Sequence, residues 1–409
     1  MNGAQWRDAR PAAERHWQQT AGGALLLWLG LIAFGATTVV LLAVLSRRGG
    51  HGSFAGLSTL LGLAFACSLV PTGVLMRCAA LVTDGQPLRR MAPSRAVAAS
   101  LLCLGTSPIV AVGLRLPVLS VLFIACQLVA GVVLAWLQGA MLGQQRFAAL
   151  GVNQLIEGAA RTGLGVWLGL VWGVTGLALA MFLSTAVAVA ALPRRWPVAV
   201  AAERPTTSLL DTSLALVLLG VFVQLDVLLA PRALHSATTR YDLAAVPSKG
   251  VYLVLLALGP LLFPFVRRSD SRRLIIIGAA LTLVLGTVLA AALVGLRPLI
   301  GAVLGQPDAP AGALFLLGVA MSLVAATAVF MNGAIARGVV RPWPPIALGM
   351  VALVACTRTG TVMGFATACV LVHLVVTAAA LWVVLWGRRD GSRHEPQATR
   401  SLAPSPASP

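Results

Sequence analysis

The sequence predicts an all-α integral membrane protein, with about twelve transmembrane helices in two pseudo-repeated six-helix lobes and both termini cytoplasmic. Three observations predict it. Of the 409 residues, 58% are hydrophobic and only 10% charged, against about 45–50% and 25% in ordinary soluble domains, and the mean hydropathy is +0.91. Apolar runs of about 20 residues, long enough to cross a bilayer as helices, recur along the chain. Basic residues collect in alternate connections between those runs, the pattern by which cytoplasmic arginine sets topology.

The runs fall at 21–45, 54–80, 95–114, 117–139, 149–170, 174–193, 209–230, 242–266, 274–295, 311–335, 343–357 and 361–386. Residues 1–20 precede them as a cytoplasmic segment, too long and too mixed for the leading part of a cleaved signal peptide. In it, Trp6 and Trp17 stand among Arg7, Arg10 and Arg15, and either lie along the membrane interface or belong to an unstructured tail. Spans 1 to 6 make an N-lobe (21–193), residues 194–208 a cytoplasmic linker, and spans 7 to 12 a C-lobe (209–386). The eleventh run is short and flanked by Pro342, Pro344 and Pro345, so the last two helices are expected to be shifted or tilted. The tail 387–409 is rich in Pro, Ser and Arg without apolar periodicity, and disorder is expected there.

With the N-terminus inside, the inner connections hold Arg89, Arg90, Arg95, Arg146, Arg194, Arg195, Arg267, Arg268, Arg272, Arg273, Arg337 and Arg341, among others. The outer ones hold only Arg47, Arg48, Arg115, Arg232, Arg240, Arg297 and Arg358, a roughly three-to-one bias toward the inside. Sliding one half along the other sets Phe54 opposite Tyr241 and Gly73 opposite Pro260, so the repeat is expected to be parallel, with its axis along the membrane normal.

Several function classes drop out. Binding of nucleic acid needs basic residues on a soluble face or arm, and none is present despite the formal charge of +18. Cys67, Cys78, Cys103, Cys126, Cys356 and Cys369 all fall in apolar runs without a CxxC pair and read as small core residues rather than disulfides or metal ligands. His373, alone on an apolar helix, reads as packed or hydrogen-bonded. The lone lysine follows Val-Pro-Ser, so no phosphate-binding loop for ATP exists. No catalytic residue, enzyme activity, metal or organic cofactor is expected.

Two constellations remain. On span 5, Gln154, Glu157 and Arg161 share a helix face, with Asn153 adjacent, and Glu157 stands four residues before Arg161, the favourable order for a pair. Arg161 is about 18 Å into the helix, beyond the centre of the apolar core. The stripe is either a cationic lining for an anionic substrate, with Glu157 as the arginine's releasable partner, or a structural lock to a neighbouring helix. Across spans 7 and 8, Asp226 and Lys249 are at compatible depths of about 6 and 10 Å, with Gln224 nearby and Pro260, Phe263 and Pro264 loosening the end of span 8. They form either a buried ion switch or a static salt bridge. Arg77 either snorkels to the inner interface or joins the substrate site.

Three stretches resemble a known family: LSRRGGHGSFAGLSTLLGLAFACSLVPTGV, LQGAMLGQQRFAALGVNQLIEGAARTGLGV, and QLDVLLAPRALHSATTRYDLAAVPSKGVYLVLLALGPLLFPFVRR, the last carrying Asp226, Tyr241, Lys249, Phe263 and Pro264. They are similar to the Wzx-type oligosaccharide-lipid flippases of the multidrug/oligosaccharidyl-lipid/polysaccharide exporter superfamily. That resemblance implies a multi-pass protein of the cell membrane that moves a lipid-linked glycan, such as a polyprenyl-pyrophosphate oligosaccharide, to the outer leaflet by alternating access. Glycan-assembly enzymes would be its partners besides the bilayer, and H+ or Na+ its coupling ion. Arg161, Glu157, Gln154 and Arg77 would line the cavity, and Asp226, Lys249 and Gln224 would gate or couple. The first outer turn lacks the family's usual acidic residue, and the final helix pair is compressed. The principal alternative is a cation-coupled exporter of small amphipathic drugs on the same two-lobe plan; a polymerase or ligase of lipid-linked glycans is a third.

Overall fold

The computed structural model describes residues 3–83, 104–112, 114, 116–192, 209–234, 237–256, 258–304, 309–339 and 342–387. The expected linker at 194–208, the tail from 388 and the first half of the third span lie outside the described residues. The ordered elements are α1 (Gly3–Thr83), α2 (Val118–Gly143), α3 (Phe147–Ala190), α4 (Leu209–Leu234), α5 (Thr238–Leu256), α6 (Leu258–Ser269), α7 (Arg272–Gly295), α8 (Arg297–Leu304), α9 (Ala311–Ala336), α10 (Pro344–Ala355) and α11 (Val362–Trp386). A bilayer core offers no water to backbone N–H and C=O groups, so apolar runs in it close their hydrogen bonds internally as helices. Seven described helical stretches are long and apolar enough to cross a membrane.

Two elements join spans that the sequence separates. α3 contains spans 5 and 6, which meet at Gly173, where φ is 58° and ψ −133°. A side chain there would be strained, and glycine lets the helix break and fold back. α1 contains the N-terminal segment and spans 1 and 2, and its packing shows that it reverses. Gly23 lies against Ala148 and Gly169 against Leu45, so span 1 runs parallel to span 5. Gly131 lies against Pro71 and Gly143 against Ala79, so span 2 runs parallel to α2. α2 and α3 are antiparallel across a tight turn in which Gln145 takes a φ of 60°. The two limbs of α1 are therefore antiparallel, and the reversal lies between Leu45 and Leu57, where the sequence places its first outer turn.

The second lobe repeats this pairing. The Ser248 hydroxyl donates to the Leu314 carbonyl, and Gly259 packs against Asn332, so α5–α6 runs parallel to α9 as span 2 does to α2. Pro247 and Pro264 both lie inside the eighth span, whose described parts are α5 and α6. α9 is the lobe's centre, 83% buried within the protein, whereas α7 on its flank is 33% buried and turns Ile277, Leu281, Val284 and Val288 outward to lipid. α10 has only 12 residues, or about 18 Å, short of the ~30 Å apolar core, as its proline-flanked sequence implies.

At the predicted cytoplasmic end, Arg337 serves more than topology. It is 3% exposed, donates from Nε to Asp270 Oδ1 at 2.9 Å, and reaches the Val384 carbonyl from Nη1. Arg267 donates to the Ala336 carbonyl at 3.0 Å. These bonds clasp the ends of α6, α9 and α11. Between the lobes, α5–α6 carries the polar and aromatic contacts: Trp28 Nε1 donates to the Val254 carbonyl at 3.2 Å, Phe65 meets Tyr252 edge-on at 6.3 Å, and Phe147 stacks on Phe265 at 6.1 Å.

Candidate functional site

Charged groups of the spans form one cluster on spans 5 and 6 and another on spans 7 and 8. In the N-lobe, Arg161 Nη2 donates to Glu157 Oε1 at 2.9 Å, the i, i+4 pair the sequence predicts. Because α3 folds back at Gly173, span 6 brings Ser184 and Thr185 against that pair. Arg161 Nε contacts Ser184 Oγ at 3.5 Å, and Thr185 Oγ1 donates to Glu157 Oε1 at 3.1 Å. One turn toward the start of span 5, Gln138 donates to Asn153 Oδ1 at 2.8 Å, and Asn153 donates to the Ala188 carbonyl at 2.9 Å. Gln154 is buried against Gly30 of span 1. Arg161 and Glu157 are 6% and 5% exposed. The stripe is thus turned into the lobe, where it binds α2 and both halves of α3 together.

Arg77 lies on the other limb of α1 and is buried too, beside Cys78.

In the C-lobe, Asp226, Lys249 and Gln224 do come together. Lys249 Nζ donates to Asp226 Oδ1 at 3.1 Å, to Gln224 Oε1 at 2.6 Å and to the Val223 carbonyl at 2.9 Å. An ammonium has three protons to donate, and these partners use all of them. Asp226 is 1% exposed, and its second oxygen accepts from Tyr241 OH at 2.9 Å. Tyr241 also meets Cys369 Sγ at 3.7 Å, and its ring tilts against Phe365. Next along α11, His373 stacks on Phe222 at a centroid distance of 4.5 Å and engages the Cys369 carbonyl through Nδ1. His373 is packed and hydrogen-bonded as its sequence position suggests.

The sequence reading omitted Asp242. It follows Tyr241 at the first position of the predicted eighth span, in electrostatic reach of both Asp226 and Lys249. Its Oδ1 is sealed from solvent without a hydrogen-bond partner. A signal existed, since a carboxylate seven residues before the lysine shares its helix face. Among the described residues no three His, Cys, Asp or Glu side chains converge as metal ligands.

No protein-family model matches the chain, and no curated protein matches it. Solved structures do. A Vibrio cholerae MATE transporter, VcmN, superposes with a TM-score of 0.66 at 14% identity, over 90% of this chain and 95% of that one. The eukaryotic MATE transporter AtDTX14 gives 0.64 at 13% identity, over 90% and 96%. An outward-facing multidrug resistance MATE transporter of the MOP superfamily gives 0.62 at 13%, over 90% and 95%. The chain has the MATE transporter fold. Its two lobes are the six-helix halves of that fold, which places the Glu157–Arg161 cluster inside the first MATE half and the Asp226–Lys249 cluster inside the second.

Proposed function

We propose that the protein is a cation-coupled, alternating-access exporter of small amphipathic compounds. The observation that carries this reading is the disposition of charge in the two clusters. Arg161, on which an anionic-substrate site depends, is neutralised by Glu157 and turned toward span 6. The C-lobe cluster holds two carboxylates, Asp226 and Asp242, against one ammonium, Lys249, among the rings of Tyr241, Phe222 and Phe365. Carboxylates and ring faces attract cations. The likeness to MATE multidrug transporters supports the same choice over a lipid-linked oligosaccharide flippase.

In this reading the lobes rock about their seam, and the α5–α6 contacts to Trp28, Phe65 and Phe147 form and break as the cavity changes sides. Asp226 and Lys249 fix the depth of α4 against α5. The cell membrane is the site of action, and the motive force is an inward H+ or Na+ gradient.

The test is export by the purified full chain in proteoliposomes, with ethidium as probe and with H+ and Na+ gradients imposed separately. Accumulation against the concentration gradient is expected with one of the two. In parallel, a deletion strain should gain susceptibility to amphipathic cations. Normal drug susceptibility, joined to cytoplasmic retention of undecorated lipid-linked glycan, would reinstate the flippase reading and its glycan-assembly partners.

A further inference from the structure

We infer that Asp242 is the proton-loading carboxylate of the C-lobe, and that Asp226 is the fixed counter-ion of Lys249. The inference rests on the cation-coupled reading and assigns its ion and the residue that carries it.

Asp226 and Lys249 saturate one another. Both carboxylate oxygens of Asp226 accept hydrogen bonds, from Lys249 and from Tyr241, and the ammonium has three acceptors. A proton added to Asp226 would remove the charge that holds Lys249 and weaken both of these bonds. At 1% exposure, Asp226 is also shut off from water. Asp242 is different on both counts: its Oδ1 is buried and unpartnered, while the side chain as a whole is half-buried and so remains reachable. A buried carboxylate oxygen without a donor costs free energy, and protonation removes the charge that makes it costly.

Two charged groups act on Asp242. Asp226 acts on it from α4, and Lys249 from one face of its own helix. Tyr241 is engaged with Asp226. Cys369 and His373 belong to the same cluster from α11, both buried, and His373 Nε2 has no partner. Arg240, adjacent in sequence, is exposed. With the lysine paired to Asp226, the charge of Asp242 is the one left over.

A proton suits this place better than a sodium ion. Hard metal cations take about six oxygen ligands or more, and the oxygens of Asp226 are already used. One carboxylate oxygen is enough for a proton. A neutral Asp242 can be enclosed when the lobes close over α5, whereas an ionised one must stay wetted.

Two measurements test the assignment. In the first, difference infrared spectra of the purified full chain are recorded as the pH is lowered. A carboxylic C=O band is expected in the wild type, retained in Asp226→Asn and lost in Asp242→Asn. A band lost in Asp226→Asn and kept in Asp242→Asn overturns the inference, whatever the substrate proves to be. In the second, ethidium transport is followed in proteoliposomes. Asp242→Asn should lose H+-driven accumulation by about tenfold, within the usual range of site-to-site coupling, and Asp242→Glu should restore it. H+-driven accumulation that persists in Asp242→Asn, or accumulation driven by Na+ alone, overturns it. If the wild type accumulates no ethidium under any gradient, the export reading fails, and the infrared arm still decides which carboxylate takes the proton.

Discussion

Replacing Lys249 by Met gives the most direct measure of the C-lobe cluster. The side chain keeps its length and loses its charge. Three hydrogen bonds vanish together, those to Asp226, Gln224 and the Val223 carbonyl. The lysine side chain is 13% exposed and that of Asp226 2%, so the pair is buried and its loss is not offset by solvent. Removing one partner of a buried pair costs about 3–5 kcal/mol, because the other charge is left without compensation. The orphaned Gln224 oxygen adds about 1 kcal/mol. Replacing both partners, as Lys249→Met with Asp226→Asn, removes both charges of the pair together and should recover most of the loss. The assay is SDS-induced unfolding of the purified chain, read by tryptophan fluorescence and by thiol reactivity of the buried Cys78 and Cys369. A single mutant as stable as the wild type, or a double mutant no better than the single, would refute the reasoning. If the stabilised double mutant transports normally, the pair is a static bridge and not a gate.

The other expected outcomes concern different parts of the molecule. Arg161→Met should destabilise the N-lobe by about 3–5 kcal/mol, with Glu157→Gln restoring most of it; transport by the restored double mutant would show the pair to be a lock between helices. Trp28→Phe removes the inter-lobe bond to the Val254 carbonyl and should shift the balance between closed and open seams by about 0.5–1.5 kcal/mol, measurable by cross-linking or by spin-label distances across the seam. Gly173→Ala forces a side chain into the break of α3 and should cost about 1–3 kcal/mol, seen as a lower unfolding midpoint.

Much of this was legible in the chain, for identifiable reasons. Helix spacing placed Glu157 beside Arg161, and depth along the helices placed Asp226 at the level of Lys249; both pairs form. What spacing does not tell is which way a stripe faces. Arg161 reads either as a cavity lining or as a lock to a neighbouring helix when charges are counted along the sequence, and it is the fold-back at Gly173 that brings Ser184 and Thr185 of span 6 against the stripe. Asp242 went unnoticed because a polar residue at the first position of a span looks like an interfacial boundary. Its setting depends on Asp226 of the preceding helix α4, which only the fold brings beside it. The reversal inside α1 was legible from its glycines, Gly49, Gly50 and Gly52. The clasp at Arg337 was hidden by the same rule that set the topology, which treats every inner arginine as a solvated anchor.

That clasp bears on how the chain is made. Arg337 is near the end of α9, and one of its acceptors, the Val384 carbonyl, stands close to the end of the last helix. Cys369 and His373, which complete the polar cluster of the same lobe, also belong to that helix. Chains are built from the N-terminus, and earlier parts organise first. The first lobe can therefore settle while the second is still emerging, but a buried guanidinium and a half-built polar cluster wait until α11 is in the membrane. A chain truncated before α11 should insert and still fail quality control, leaving an intact first half beside a second that never closes.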